Sequence, residues 1–378
     1  MGDASSASLQ SVNGSTCAFV AFEPMKDTAH TVYLLETCDA LVSLGVDTEL
    51  LMYPPDGVEP PASADLRQRY GLDNALRIKW VPRDTNRWVQ RFRLVVESAR
   101  ASRHRTFAYT TRPLAALGAL IGGARGVILE LHIAVEPRHD RLALSLIRRS
   151  KRLHIVCVSR RLAELAAAQS GLDESEIIVE HNGATFPIRD DYGVDSAAGR
   201  KLCAMYVGTF APGRGLETIF DLARLNPAVD FVVVGGEAPA EVLSENIDVR
   251  GRVPHADVPG LLAQADILLM PYTKEAMLPD GGGGTAEYCS PLKMIEYLSA
   301  GRSIIASNLP SISEILVDGS NCLLVDAESG EEWSAALERL EHDAALRAHL
   351  AHGAAETARQ HTILGRVGRI LEHVGTQK

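Results

Sequence analysis

The 378-residue sequence lacks any apolar run of membrane-spanning length: stretches such as "FVVVGG" and "DILLMPY" fall far short of the roughly 18 residues that cross a bilayer. They are buried-strand lengths. It is also poor in cysteine: the six, at positions 17, 38, 157, 203, 289 and 322, include no C-x-x-C pair and no histidine at zinc-ligand spacing. That excludes a disulfide scaffold or zinc module and predicts reduced core thiols in a cytosolic chain. H-E-x-x-H and D-x-D are absent too, so no metal is expected. The first fifteen residues, small and polar, lack the basic and apolar regions of a signal peptide and are expected to form a frayed tail. Net positive charge is missing as well. At −10 the chain does not suit a nucleic-acid backbone as its main partner.

Within that total the charge is uneven. Residues 1–185 carry 22 Lys+Arg and 21 Asp+Glu, which by subtraction from 38 and 48 leaves 16 and 27 for the remainder. The segment 67–105 holds eleven basic and three acidic residues, and "NRWVQRFRLVVESARASRHR" sets Trp88, Phe92, Val95 and Val96 near helical spacing among arginines. Such a helix either lies on an anionic membrane or faces a core with its basic side solvated.

Both halves repeat strand, Gly- or Pro-bearing loop, helix, which is the pattern of doubly wound parallel sheets. "CAFVAFEP", "TVYLLETCDALVSLG" and "DTELLMYPP" make a first βαβ unit, and "KLCAMYVG" opens a second series. Between them "HNGATFPIRDDYGVDSAAGR" is polar and rich in turn formers, placing a boundary near residue 187. The fold expected is α/β with two Rossmann-like domains facing across a cleft: 16–187, then 188–361, and a final helix 362–378 packing back toward the first. Ligands of such sheets bind beyond the carboxyl ends of the strands.

Two segments carry chemistry. In "GGGGTAEYCSPLKMIEYLSAG" a glycine run precedes a helix with Ser290 as N-cap, Pro291 at the first helical position and Gly301 past the end. Leu292, Ile295 and Leu298 recur on one side, Lys293 and Glu296 on another. Free N–H groups at that N-terminus, with Lys293 beside them, favour an anion such as a diphosphate. "YVGTFAPGRGLETIF" independently sets a Gly-rich loop with Arg214 before a second helix. Neither spacing is a dinucleotide fingerprint or a P-loop.

With these motifs the chain resembles the retaining glycosyltransferases of family 4, of GT-B architecture, over nearly its whole length after the first fifteen residues. The resemblance implies a metal-independent transfer, without cofactor, of a sugar from a nucleoside-diphosphate sugar, UDP-linked or alternatively GDP-linked, to a hydroxyl of a glycan, lipid-linked or small-molecule acceptor. It assigns Gly208, Thr209, Arg214, Ser290, Leu292 and Lys293 to the donor diphosphate and Glu296 to the ribose. Arg252 and Val253 would lie at the nucleobase, and His132 at the donor sugar. His132, Arg214 and Lys293 would be the catalytic set. Thr209 stands where many members carry arginine, and Tyr288 where many carry a first glutamate, with Glu287 one place off. Glu287, Tyr288, Glu130, Arg112, Thr28 and His30 are further candidates for contact with the donor sugar or the acceptor. The setting implied is the cytoplasm or the inner face of its membrane. Two other readings fit the architecture: a nucleotide-sugar 2-epimerase, and a non-catalytic protein that binds nucleotide sugars or glycans.

Overall fold

Runs such as "GVILEL" and "ILLM", apolar on both faces, can be satisfied only in a sheet covered on both sides, and the computed structural model shows two such sheets. It describes residues 14–135, 137–191, 200–238, 244–275 and 287–376. The described residues up to Gly183, joined by those from Ile363 onward, form one compact unit, and Ala184 to Thr362 form the other.

The first unit holds seven strands: β1 (Thr16–Pro24), β2 (Asp47–Tyr53), β3 (Arg77–Trp80), β4 (Phe107–Thr110), β5 (Gly126–Leu131), β6 (Leu153–Cys157) and β7 (Ile177–Val179). They lie in the order β3-β2-β1-β4-β5-β6-β7, parallel throughout. Local signals set the helices between them. In α1 (Ala29–Ser43) Thr28 is the N-cap and accepts from the Thr31 N–H. After α2 (Ser63–Tyr70), Asn86 caps α3 (Arg87–Ser102), and Pro113 opens α4 (Pro113–Gly122), which ends at Gly123 with φ +86°. Next come α5 (Arg138–Ile147) and α6 (Arg160–Ser170), capped by Ser159. Each cap satisfies backbone N–H groups that the first turn leaves unpaired.

The second unit repeats the plan with β8 (Leu202–Val207), β9 (Val229–Val234), β10 (Ile247–Arg250), β11 (Ile267–Met270), β12 (Ser303–Ser307) and β13 (Leu323–Val325). Their order is β10-β9-β8-β11-β12-β13, again all parallel. The helices are α7 (Leu216–Leu225), α8 (Val258–Leu262), α9 (Leu292–Ser299), α10 (Gly330–His342) and α11 (Ala344–Gln360). One core lies on each face of this sheet: Met294, Ile295 and Leu298 of α9 join the first, and Trp333 and Leu337 of α10 the second. The final helix, α12 (Ile363–Thr376), belongs to the first unit and packs against α1.

Two expectations are corrected. A core-facing side of α3 built from Trp88, Phe92, Val95 and Val96 is not found: Trp88 is 76% and Phe92 72% exposed, while Leu94, Ser98 and Ser102 are buried. The reason is the closeness of α3 to α4. A Cβ on Gly118 would sit 2.4 Å from the Val95 carbonyl oxygen, and one on Gly122 would sit 2.2 Å from that of Ala99. At the point of closest approach there is room only for small side chains such as Ser98 and Ala99; Leu94 and Val95 still pack on the core, while Trp88 and Phe92, nearer the helix start, turn outward. The second correction concerns Ser290, which lies one residue before the cap of α9. Pro291 holds the N-cap position and no side chain caps the helix, since the Met294 N–H bonds back to the Pro291 carbonyl in a tight first turn.

Gly122→Ala should therefore destabilise the first unit by about 1–3 kcal/mol, the cost typical of overpacking. Urea unfolding with an unchanged midpoint would remove this account of the α3–α4 contact.

Candidate functional site

In the second unit the loops after β8, β9 and β11 converge on the start of α9. Gly215, with φ +72°, leaves no room for a side chain, since a Cβ there would meet the Pro271 carbonyl oxygen at 1.7 Å. Gly235 is held in the same way against the Gly208 carbonyl oxygen, at 2.1 Å. The Thr273 N–H donates to the Gly213 carbonyl at 3.0 Å, which fixes the loop carrying Arg214 against the end of β11. The Tyr206 hydroxyl, from the end of β8, donates to the Thr209 carbonyl at 2.9 Å.

Lys293, on the first turn of α9, points into this convergence. Its Nζ lies 3.6 Å from the ring centre of Tyr206 and 5.3 Å from that of Tyr272, and it has no hydrogen-bond partner among the described residues. The Arg214 guanidinium stacks 4.6 Å above the other cation's neighbour, Tyr272. Burial, then the charge of Arg214, pushes the Lys293 ammonium well below the usual lysine pKa, with Glu296 opposing. Cation–π contact stabilises a desolvated ammonium by about 2 kcal/mol, but it supplies no acceptor for three N–H donors. Two cations, the free N–H groups at the start of α9 and an apolar floor are complementary to a compact polyanion. Gly208 belongs to this arrangement: a Cβ there would fall 2.3 Å from Lys293 Nζ, so the loop is left open for the ammonium.

Other residues expected here are placed as follows. Leu292 and Ser290 are buried beside the helix start. Glu296, one turn on, accepts His255 Nε2 at 2.8 Å, and the His255 ring packs 5.0 Å from that of Phe186. Lys293 and Glu296 are thus not an exposed surface pair; the lysine is buried and the glutamate is held by a histidine. Val253 packs on the core and Arg252 is exposed, both on the segment leading to His255. Glu287 is exposed and Tyr288 half-buried in a turn before α9, whereas the glycine run 281–284 lies outside the described residues.

The first unit gathers a second cluster after β1, β4 and β5. Glu130, fully buried on β5, meets Arg366 of α12 at 2.6 Å, receives the Tyr109 hydroxyl, and lies 2.8 Å from His132 Nε2. Burial opposes its ionisation, but Arg366 and then His132 overcome that and hold its pKa well below the carboxylate range. Burial holds His132 below the ordinary imidazole value despite Glu130; its ring packs 4.2 Å from Tyr33 and 5.7 Å from His30. His30 contacts Glu23 at 3.2 Å, and Arg112 lies 3.6 Å from Glu23 and 3.7 Å from Asp140. Thr28 caps α1 and is not part of this cluster. Glu23 is aimed here by an irregularity at the end of β1, where the register shifts and Phe22 takes φ +30°. Such bulges redirect side chains beside functional sites.

Sequence reasoning missed Tyr206, Tyr272, His255, Glu23 and Arg366. The first three stand at or just beyond strand ends, where polar and aromatic residues are worth testing. Arg366 gives no local signal, because its carboxylate partner is 236 residues away.

Two outcomes test these clusters. Lys293→Met should raise the stability of the unliganded protein by about 1 kcal/mol, since it removes an unpaired buried charge at similar volume. It should also abolish stabilisation by inorganic pyrophosphate in a melting experiment, and Gly208→Ala, at a φ of +157° that favours glycine, should weaken that stabilisation and lower the unliganded melting temperature. For Glu23, burial raises the pKa but the His30 contact, with Arg112 and His132, lowers it to about 2. Its contribution to stability is present above pH ~4.5 and lost as pH falls through ~2, because the unfolded chain binds the proton first. A Glu23→Gln variant should show a shallower acid-side slope between those values, and an identical slope would remove Glu23 from the account.

Comparison with known proteins adds three findings. Residues 203–343, which include Arg214, Lys293 and Glu296, match the family model described as glycosyl transferases group 1. The chain is 22% identical over 181 residues to alpha-D-kanosaminyltransferase of Streptomyces kanamyceticus, covering 44% of this chain and 42% of that protein. It is 23% identical over 258 residues to the putative teichuronic acid biosynthesis glycosyltransferase TuaC of Bacillus subtilis (strain 168), covering 65% and 63%. The chain thus spans between two fifths and two thirds of the length of the curated relatives it matches. Its fold is shared with HepE of Anabaena in complex with UDP and glucose, at a TM-score of 0.70 and 15% identity over 96% of this chain and 100% of that one. HepE has also been solved with UDP and with UDP-glucose.

Proposed function

We propose that this chain of GT-B fold, whose second unit carries a group 1 glycosyltransferase domain, transfers a sugar from a nucleoside-diphosphate sugar, UDP-linked in preference to GDP-linked, to an acceptor hydroxyl. The observation that carries the proposal is the pair of cations, Lys293 and Arg214, at the N-terminus of α9, with a buried ammonium that no described residue hydrogen-bonds. The UDP complexes of HepE favour uridine as the base. The setting proposed is the cytoplasm or the inner face of its membrane.

Departure of a nucleoside diphosphate leaves an oxocarbenium-like sugar and negative charge growing on phosphate, so groups that meet that charge supply most of the rate. Lys293 and Arg214 would do this, with the backbone N–H groups at the start of α9. The ammonium gains the acceptors it lacks only when phosphate is present, so its interaction strengthens as the charge develops. Glu296, steadied by His255, would fix the ribose hydroxyls, and Arg252 and Val253 would flank the base. His132, held by Glu130, takes the contact with the donor sugar, and the cluster around Glu23 the remaining polar contacts of sugar or acceptor. The reading includes retention at the anomeric carbon and no need for a metal, since two fixed cations perform the task a divalent ion would otherwise have.

Lys293→Ala and Arg214→Ala should each lower kcat/KM by about 10²–10³ with the fold intact, the range seen when one preorganised charge-stabilising donor is removed. Activity should persist in EDTA. Wild-type turnover in both variants, or a strict Mg²⁺ requirement, would overturn the mechanism. A melting panel of UDP-, GDP-, ADP- and dTDP-sugars identifies the donor, since a ligand at 100 times its Kd stabilises by about 2.7 kcal/mol. Binding of a donor without release of its nucleotide over a broad acceptor panel would favour the binding-protein reading. Conversion of the donor sugar without acceptor would favour the epimerase.

A further inference from the structure

Among the described residues, six of the nine large exposed apolar residues of the first unit lie on or beside two helices, while Val58, Ile121 and Leu364 lie elsewhere. Trp88, Val89 and Phe92 lie on one face of α3, Leu142 and Leu146 are one turn apart on α5, and Ile133 stands on the loop before it, all between 43% and 76% exposed. Isolated exposed apolar residues are ordinary, but a Trp and a Phe this exposed on adjacent turns are not. Both helices pack against α4, and the crossovers leaving β3 and β5 run in the same direction along the sheet, so α3 and α5 lie on one side of it.

Arginines surround this apolar surface. Arg91 stacks 5.1 Å from the Trp88 ring centre, and Arg87, Arg138, Arg141 and Arg149 are exposed. Among the described residues no carboxylate lies within ion-pairing distance of these five. The nearby acids are already engaged: Glu97 with Lys79 and Arg100, and Asp84 with Arg93. Elsewhere in the unit arginines are mostly matched, as in Arg69–Asp27 and Arg83–Asp56. Unmatched guanidinium groups beside aromatic and leucine side chains are complementary to one chemistry, an apolar layer beneath a sheet of anions. We propose that this face docks on the surface of an anionic lipid bilayer, with Trp88, Phe92, Leu142 and Leu146 entering the headgroup boundary and the arginines meeting lipid phosphates.

The physics of interfacial helices supports this occupant. Aromatic rings and leucines gain by leaving water at the headgroup level, while arginines extend their charge to phosphate. A second copy of the chain is disfavoured, because a two-fold contact would set this arginine surface against itself. Among the described residues no helix is long and apolar enough to cross a membrane, so the contact would be peripheral.

The test is sedimentation with vesicles of phosphatidylcholine alone and with added phosphatidylglycerol, using the full chain and independent of any turnover. Binding should require the anionic lipid, weaken with salt, and shift tryptophan emission to the blue, a shift absent in Trp88→Phe. The double variant Trp88→Ala/Phe92→Ala should lower partitioning by at least about tenfold, since each ring contributes a large apolar area, and Arg87→Glu/Arg91→Glu should abolish it. These side chains are on the surface, so unchanged melting temperatures accompany the losses. No binding to anionic vesicles, or binding that the variants leave intact, would overturn the proposal. So would a concentration-dependent dimer that Trp88→Ala/Phe92→Ala dissolves, which would assign the face to a second copy.

Discussion

Parallel strands send all their carboxyl ends to one side of a sheet, and the chemistry of this protein follows from that constraint. In each unit the strand order reverses direction beside the first strand, between β1 and β4 and between β8 and β11. Loops leaving those strands diverge to opposite faces and open a crevice at the switch point. His30 and Glu23 follow or end β1, Arg112 follows β4 and His132 follows β5. In the second unit Arg214 follows β8 and Tyr272 follows β11. No local propensity places these side chains together; the topology does, and the glycines at 208, 215 and 235 then allow the loops to touch.

The two clusters handle buried charge in opposite ways. Glu130 and Arg366 neutralise each other, both fully buried, and Tyr109 and the His181 carbonyl take remaining donors and acceptors. Such a pair adds little net stability for its desolvation, but it is costly to break from one side. It therefore fixes α12 to β5 and sets the carboxylate beside His132. Lys293 has no such compensation. Its ammonium is buried against two tyrosine rings beside a second cation, and no described residue offsets the loss of its water.

The fold was largely legible because its signals are local. Buried strand runs such as "CAFVAFEP" and "KLCAMYVG", and Gly301 just past the end of α9 with φ +58°, identify elements without any knowledge of neighbours. The nearness of Arg214 and Lys293 was legible in part for the same reason, since each follows a glycine-bearing loop at a helix start. The outward turn of Trp88 and Phe92 was not. Hydrophobic periodicity finds an apolar face of a helix, but it cannot tell that Gly118 and Gly122 bring a neighbouring backbone close beside Val95, Ser98 and Ala99. The environment of Glu296 was hidden similarly, because its partner His255 reaches it from a different segment.

What the sequence by itself determined is the class of the fold: two doubly wound α/β units, most of their strands and helices, and loops that carry a cation to a helix start. These depend on interactions within a few residues along the chain, whose energies hold wherever the chain is placed. The tertiary structure alone decided which charges are paired and which are left open. Arg366 reaches Glu130 across 236 positions, Lys293 is stripped of water by rings from the end of β8 and from the loop after β11, and α3 turns Trp88 and Phe92 to solvent while α4 occupies its other side. Charge pairing and burial are set by distance in space, which the order of residues specifies only through the completed fold.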